Sequence, residues 1–514
     1  MSETPPPLGA AGFLRWMWRQ FTSMRTALVL LFLLALATIP GSVFPQRGSE
    51  PIQVNEWIAK YGTVGAVLDR AGMFDVYGSA WFAAVYLLLF LSLIGCVIPR
   101  LQQLWRSYRA LPPAAPRNLD RFGGTVSTTI ARTPQDAMQV AEDRLRRRRW
   151  RLRVGADDDG SWIAAEKGYL KEASNLGFHI ALLIVLAAVG IGGLYGWKGN
   201  VIVRTGQGFA DTVTQYDSWD GGRLVDSHDL PPFSFTLDSF DVQFERSDSQ
   251  RGAPRAFDAE VSFRPAPGAP VQHQRIEVNE PLRVGDATVY LVGHGYAPHF
   301  TITDRTGAVV YDDGAVFLPQ DGNFTSTGVV KAPDATPSLG FEGVFLPTLA
   351  LGADGAASSS FPAPDDPAVV LAAWSGDLGL DSGVPQSVYT LRTDGLTKLG
   401  AKGLRPGDSW TLPQGAGNVT FTGYDRWASF QIAHDPGKGW ALLGAVIAML
   451  GMFGAVSLQR RRLWVKVRPA DGTDSLVQVA GLARHQSLGE MPTGALAHDL
   501  RDLIDHLTST KERM

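Results

Sequence analysis

ASNLGFHIALLIVLAAVGIGGLYGW, residues 173–197, lies between Glu172 and Lys198 and holds no formal charge over 25 residues. At 1.5 Å of rise per residue, a helix of this length crosses the ~30 Å hydrocarbon core of a bilayer. About two turns in stands His179, the one side chain of the stretch that titrates near neutral pH. An imidazole facing lipid at that depth is costly, so His179 is expected to turn inward, towards a partner group, a cavity or a metal.

Three further uncharged apolar stretches, at 26–44, 76–99 and 439–459, are each near the ~20 residues that a spanning helix needs. The chain therefore reads as a four-helix membrane protein, and its 45% hydrophobic residues average apolar spans with polar blocks. The first span is too far from the N-terminus and too well flanked for a typical cleaved signal, and is expected to be retained. Arg15, Arg19 and Arg25 precede it; Arg100, Arg106, Arg109, Arg117 and a run at 144–153 lie between the second and third spans; Arg460, Arg461, Arg462 and Lys466 follow the fourth. Short flanks rich in arginine and lysine stay inside. The expected order is a cytoplasmic N-terminus at 1–25, span 26–44, an outer loop at 45–75, span 76–99, a cytoplasmic loop at 100–172, span 173–197, a large extracytoplasmic segment at 198–438, span 439–459 and a cytoplasmic tail at 460–514.

A net charge of −3 hides this segregation of basic and acidic residues. The run Arg144, Arg146, Arg147, Arg148 and Arg149 beside a bilayer is explained by topology and anionic headgroups, without nucleic acid. The single cysteine, Cys96, cannot form an internal disulfide or a CxxC redox pair.

Between the spans, residues 9–23 mix Phe13, Trp16, Trp18 and Phe21 with Arg15 and Arg19, as an interfacial helix does. The 100–172 loop predicts a small α+β unit, with strands at 124–130, 150–154 and 161–165 and a helix at 134–148 capped by Thr133. Asp157, Asp158, Asp159 and Gly160 supply a hairpin turn. From 198 to 438, β-branched and aromatic runs at 234–237, 260–263, 288–292, 300–302 and 419–422 alternate with turn clusters at 220–222, 312–314 and 321–323, predicting an antiparallel β-rich domain, either a sandwich or an irregular barrel. Pro, Ala and Ser at 351–367 predict a mobile insertion outside the core. After the fourth span, 463–469 and 475–479 can pair as strands, and 493–507 reads as a short amphipathic helix.

Met73-Phe74-Asp75-Val76-Tyr77, leading into Trp81-Phe82 and ending Leu93-Ile94-Gly95-Cys96-Val97-Ile98-Pro99-Arg100, resembles the second span of the ResB family of cytochrome c biogenesis proteins. Glu166-Lys167-Gly168 running through Asn175-Leu176-Gly177-Phe178-His179 resembles its entry to the third. Phe44-Pro45-Gln46, Gly293-His294-Gly295-Tyr296, Asp435-Pro436-Gly437 and Arg460-Arg461-Arg462-Leu463-Trp464-Val465 extend the resemblance from about Thr26 to Val467. It implies a multi-pass plasma-membrane subunit of the system II complex, a non-redox component and not an enzyme alone. Such a subunit helps to bind haem b transiently, translocate it, and deliver it with a CcsA-like partner to the Cys-x-x-Cys-His motif of apocytochrome c. A thiol-reducing system is an indirect partner. The tryptophan-rich presenting motif of that partner is not found here, where Trp219 and Trp374 are isolated, so the attachment surface is expected in the partner.

Neutral imidazole is a good axial ligand for haem iron, which makes His179 the candidate cofactor-binding residue. The competing reading has His179 hydrogen-bonding a neighbouring helix, within a membrane-anchored binding or scaffold protein that ligates no haem. As no other histidine lies in a span, a bis-His site needs its second ligand from a partner. His294 and His299 have a spacing that metal sites use, but without accompanying cysteines or a carboxylate cluster they are expected to be structural or superficial. His228, His273 and His434 sit in polar external contexts, and His485, His498 and His506 in the tail, where exposure is the default. No nucleophile elbow or phosphate-cradling loop supports hydrolysis or nucleotide use.

Overall fold

The computed structural model describes residues 9–48, 51–226, 228, 230–352, 355–380, 387–483, 487 and 489–509. The chain divides into two compact units, one of residues 192–436 with 48–51, the other of the remainder.

The second of these carries the helices. Helix α1 (Ala10–Phe21) leaves Phe13, Trp16, Trp18 and Phe21 exposed, as an interfacial helix would. Helix α2 (Met24–Val43) starts at Ser23, whose hydroxyl accepts the Thr26 N–H. Within 45–75, expected as a loop, the chain instead forms α3 (Pro51–Arg70), broken at Gly62 by a left-handed φ of 51°. Trp57 pins it edge-on to Phe44 and Phe74, at 5.6 and 5.3 Å between ring centres. This aromatic cluster draws on three separated segments, which no local period announces.

Helix α4 (Ala80–Arg109) begins later than predicted, at the Ser79 cap, and runs on through Pro99. Proline removes one hydrogen bond, but Arg100, Leu101, Gln102 and Gln103 are strong helix formers and carry the helix past it. Helix α5 (Pro134–Arg147) is capped by Thr133, which accepts the Asp136 N–H at 3.2 Å. Helices α6 (Leu170–Tyr195), α7 (Lys438–Ser457) and α8 (Gly494–Thr508) complete the set. Four of these, α2, α4, α6 and α7, are long and apolar enough to span, and the chain is a membrane protein.

Small residues bring the spans together. A Cβ at Gly451 would lie 2.7 Å from the Phe178 N and 2.8 Å from the Ser174 O, and one at Gly444 3.1 Å from the Ala181 O. Only glycine lets α7 approach α6 so closely. At Gly95 a Cβ would fall 2.0 Å from Thr22 Cγ2, so α4 lies against the α1–α2 junction.

The loop strands and the tail strands, read in sequence as two pieces, form one antiparallel sheet. Its order is Val126–Ile130, Ser475–Ala483, Arg461–Pro469, Gly160–Lys167, Arg151–Asp157. The tail strands do pair with each other, and they also fill the second and third positions. Helices α5 and α8 join them around a core including Ala137, Leu145, Ile163, Val465, Leu496 and Leu503.

The other unit, inserted in sequence between α6 and α7, is antiparallel β throughout its named strand pairings. Two strands of 18 residues, Ala287–Asp304 and Gly417–His434, pair along their length. One end serves a core around Phe300, Phe317, Phe341 and Phe421; the other serves one around Phe235, Val289, Phe430 and Ile432. Each such phenylalanine contributes roughly 1.5–3 kcal/mol by burial. Gly293 and Pro298 split the first strand in the sequence reading, but bulges at 291/293 and 299/300 absorb the irregularity.

Three expectations are corrected here. Asp312 and Asp313 are strand, paired with Thr301 and Phe300, because Thr301 and Arg204 hold their carboxylates. Asp220 and Gly221 likewise end a strand, Ser218–Gly221. Residues 351–367 are not all outside the core. Leu349–Leu351 pairs with Ala357–Ser359, and Phe361 is buried at 1% exposure because its ring has an apolar seat against Phe244.

Candidate functional site

The Phe178 backbone faces α7 at Gly451, and the next residue, a further 100° round the helix, presents its ring to α4. His179 Nδ1 lies 2.7 Å from the carbonyl of Asn175, one turn back. A carbonyl only accepts, so Nδ1 carries the proton and Nε2 keeps its lone pair. That Nε2 faces Arg100 Nη1 of α4 at 3.4 Å. Arg100 Nη2 in turn reaches Met24 Sδ at 2.9 Å, and Cys96, one turn earlier on α4, donates to the Thr22 carbonyl at 3.0 Å. Tyr86 donates to the Leu186 carbonyl, a second link between α4 and α6, about two turns beyond the imidazole on α6.

One turn towards the start of α6 lies a cleft of about 740 Å³, lined among others by Arg100, Lys171, Glu172, Asn175, Arg460 and Arg462. This is within the ~300–1,000 Å³ of small-molecule and cofactor sites. Two of its lining arginines are held by Glu166, 2% exposed, which accepts from Arg460 at 2.7 Å, Arg462 at 2.9 Å and the Tyr169 hydroxyl at 2.5 Å. Arg460 also reaches Glu172 at 2.7 Å. Burial pushes the Glu166 carboxyl up, but its hydrogen bonds with Arg460, Tyr169 and Arg462 outweigh it and hold the group below the usual carboxylate range.

The chemistry of the donor set fits haem. A neutral imidazole whose Nε2 keeps its lone pair suits iron once Arg100 gives way, and a cleft one turn away whose lining includes Arg100, Arg460 and Arg462, the last two also serving Glu166 and Glu172, suits propionates. In sequence, Arg100, Arg460 and Arg462 were legible only as topology signals. Their convergence with Glu166 and Glu172 depends on the sheet that joins loop and tail.

Residues 24–490 match the ResB-like family. The chain belongs to this family. A cytochrome c biogenesis protein CcsB of Synechococcus sp. (strain CC9311) is 24% identical over 97% of this chain and 99% of its own length. Another of that name, from Synechococcus sp. (strain WH7803), is 24% identical over 95% of this chain and 96% of its own. A third, from Thermosynechococcus vestitus, is 26% identical over 53% and 59%.

The other histidines of this family member are dispersed. His294 packs among phenylalanines while His299 Nε2 pairs with Asp425 at 2.6 Å, so the two do not share a site. His434 Nδ1 donates to the Asp286 carbonyl at 2.9 Å, and His273 Nδ1 lies 3.0 Å from Ser262 Oγ. His228, His498 and His506 are exposed; His485 lies outside the described residues. Trp219, isolated in sequence, stacks on Trp197 at 5.2 Å and neighbours Tyr216 at 5.1 Å, because the strand Ser218–Gly221 pairs with Trp197–Arg204.

Proposed function

We propose that this chain is a haem-handling subunit of the system II cytochrome c biogenesis complex, acting with a CcsA-like partner to carry haem b and deliver it to apocytochrome c. Membership of the ResB-like family and the names of its relatives support the biogenesis role. The observation that carries the haem reading is His179, with Nδ1 tied to Asn175 and Nε2 aimed off the helix above a cation-lined cleft.

In this reading haem is cargo, and its iron supplies the Lewis acid that an imidazole binds. His179 provides Nε2, and its proton stays on Nδ1 throughout. Arg100 faces Nε2 and would have to give way to iron, which would leave its guanidinium available to a propionate. Lys171, Arg460 and Arg462 line the cleft that would take the propionates, the two arginines shared with Glu166 and Glu172, and a further ligand to the iron would come from the partner. Both termini and the sheet shared by loop and tail lie in the cytoplasm, and the β-rich unit lies outside as a platform for the partner or apocytochrome.

Co-purified with its partner, the wild-type protein is expected to show a Soret band. His179→Gly should reduce it, with added imidazole restoring part. A second reading, a scaffold without haem ligation, draws on the Arg100–His179 contact, which is what a purely structural histidine makes. It predicts an unchanged spectrum and normal cytochrome c maturation in His179→Ala, and that result would remove the ligand assignment.

A further inference from the structure

A second cleft, of about 820 Å³, lies where the C-terminal extension of α4, the first turn of α6 and the end of α7 meet the sheet shared by loop and tail. Its apolar lining includes Leu101, Leu170 and Leu458, at the ends of three spans. That places it at the depth where hydrocarbon gives way to headgroups. Trp105, Tyr108 and Tyr169 also line it, the residue types that favour this interface. Three cations complete it: Arg149, Lys167 and Arg461.

Two of these cations are held in ways their own folding needs do not explain. Helix α5 ends in a Schellman motif: the Trp150 N–H donates to the Leu145 carbonyl and the Arg149 N–H to the Arg146 carbonyl. The left-handed position of that motif usually belongs to glycine, yet here it is Arg149, with φ 57°. Arg461 pairs with Asp499 at 2.5 Å through Nη1, while its buried Nε has no acceptor among the described residues. A buried donor without an acceptor is unfavourable, so the hydrogen-bonding capacity of the Arg461 guanidinium is not used up by Asp499.

We propose that this cleft holds an anionic phospholipid of the inner leaflet, its phosphate among Arg149, Lys167 and Arg461 and its upper acyl chains against the leucines. The inference does not use the haem reading, since none of these three cations lines the cleft near His179.

The test is native mass spectrometry of the full chain, released from nanodiscs containing equal phosphatidylglycerol and phosphatidylcholine. The wild type is expected to retain phosphatidylglycerol preferentially. In Arg149→Gln and in Lys167→Gln that preference should fall about fivefold for each cation removed. Ala495→Trp, at an exposed lining residue, keeps all three cations and should lower retention by filling the cleft. Equal retention of both lipids by the wild type, or an undiminished preference in all three variants, overturns the proposal. Displacement of the retained lipid by one equivalent of haem overturns it in favour of a haem cleft.

Discussion

At position 294 an imidazole packs among four phenylalanines, stacked on Phe324 at 4.5 Å and flanked by Phe257, Phe240 and Phe244 at 5.3, 5.5 and 6.2 Å. Burial, reinforced by the nearby Arg426, pushes its pKa down to about 4. In the unfolded chain it titrates near ~6.5. Between those values the unfolded chain binds the extra proton, so the stability that His294 contributes above pH ~6.5 is lost as pH falls through 4. Asp211 works in the opposite sense. It is 5% exposed, accepts from the Tyr216 hydroxyl at 2.6 Å, and its other oxygen has no donor among the described residues. Burial pushes it up to about 6, so its contribution is fullest below an ordinary carboxyl pKa and is lost as pH rises through 6. In thermal melts of the purified protein, His294→Leu should gain at pH 5 relative to pH 8, and Asp211→Asn should gain at pH 8 relative to pH 5. Between these two pH values the His294 effect is about 2 kcal/mol and the Asp211 effect about 1–1.5 kcal/mol. The sequence marks His294 as structural from its lack of ligand-type neighbours, but the residues that enclose it come from distant segments and leave no local sign.

At the scale of helices, glycine decides the packing of α6 on α7. Gly451→Ala would place a methyl 2.7–3.0 Å from backbone atoms of Ser174 and Phe178, which cannot give way. It should cost about 1–3 kcal/mol. Gly177→Ala, on α6 with nothing within 4 Å of the new methyl, should be neutral or gain up to ~1 kcal/mol from helix propensity. Melting temperatures in detergent check the pair, and equal effects would contradict the close approach described here. Hydropathy made all four spans legible to within a few residues, as charge-free length is a local property. The uncharged stretch ends before Arg100 whereas α4 runs on to Arg109, since a helix need not stop where charge begins, and hydropathy was silent on α3, whose aromatic contacts lie in separated segments. The same limit hid the candidate site. His179 stood out by its isolation in an apolar run, whereas its neighbour Arg100 looked like one more flanking charge.

Over the whole molecule, the antiparallel sheet shared by loop and tail ties residues 126–167 to the segment after the fourth span. Removing residues 460–514 takes away the two strands that separate Val126–Ile130 from Gly160–Lys167, along with α8. Limited proteolysis of such a truncation should cut within 111–167, which the full chain protects, while the antiparallel unit at 192–436 resists as before. The pairing of 463–469 with 475–479 was visible in sequence, but the pairing of the same strand with Gly160–Lys167 was not, since a strand pairing leaves no trace of how far away the other strand lies. Glu166 and Arg462, joined in that sheet at 2.9 Å, are 296 residues apart. A ribosome adding about 5–20 residues per second needs roughly 15–60 s to make that interval. For all of that time the nascent Gly160–Lys167 segment waits as an unpaired edge, vulnerable to wrong partners. Closure of the sheet is therefore a late step in biosynthesis, completed only after everything between has been synthesised.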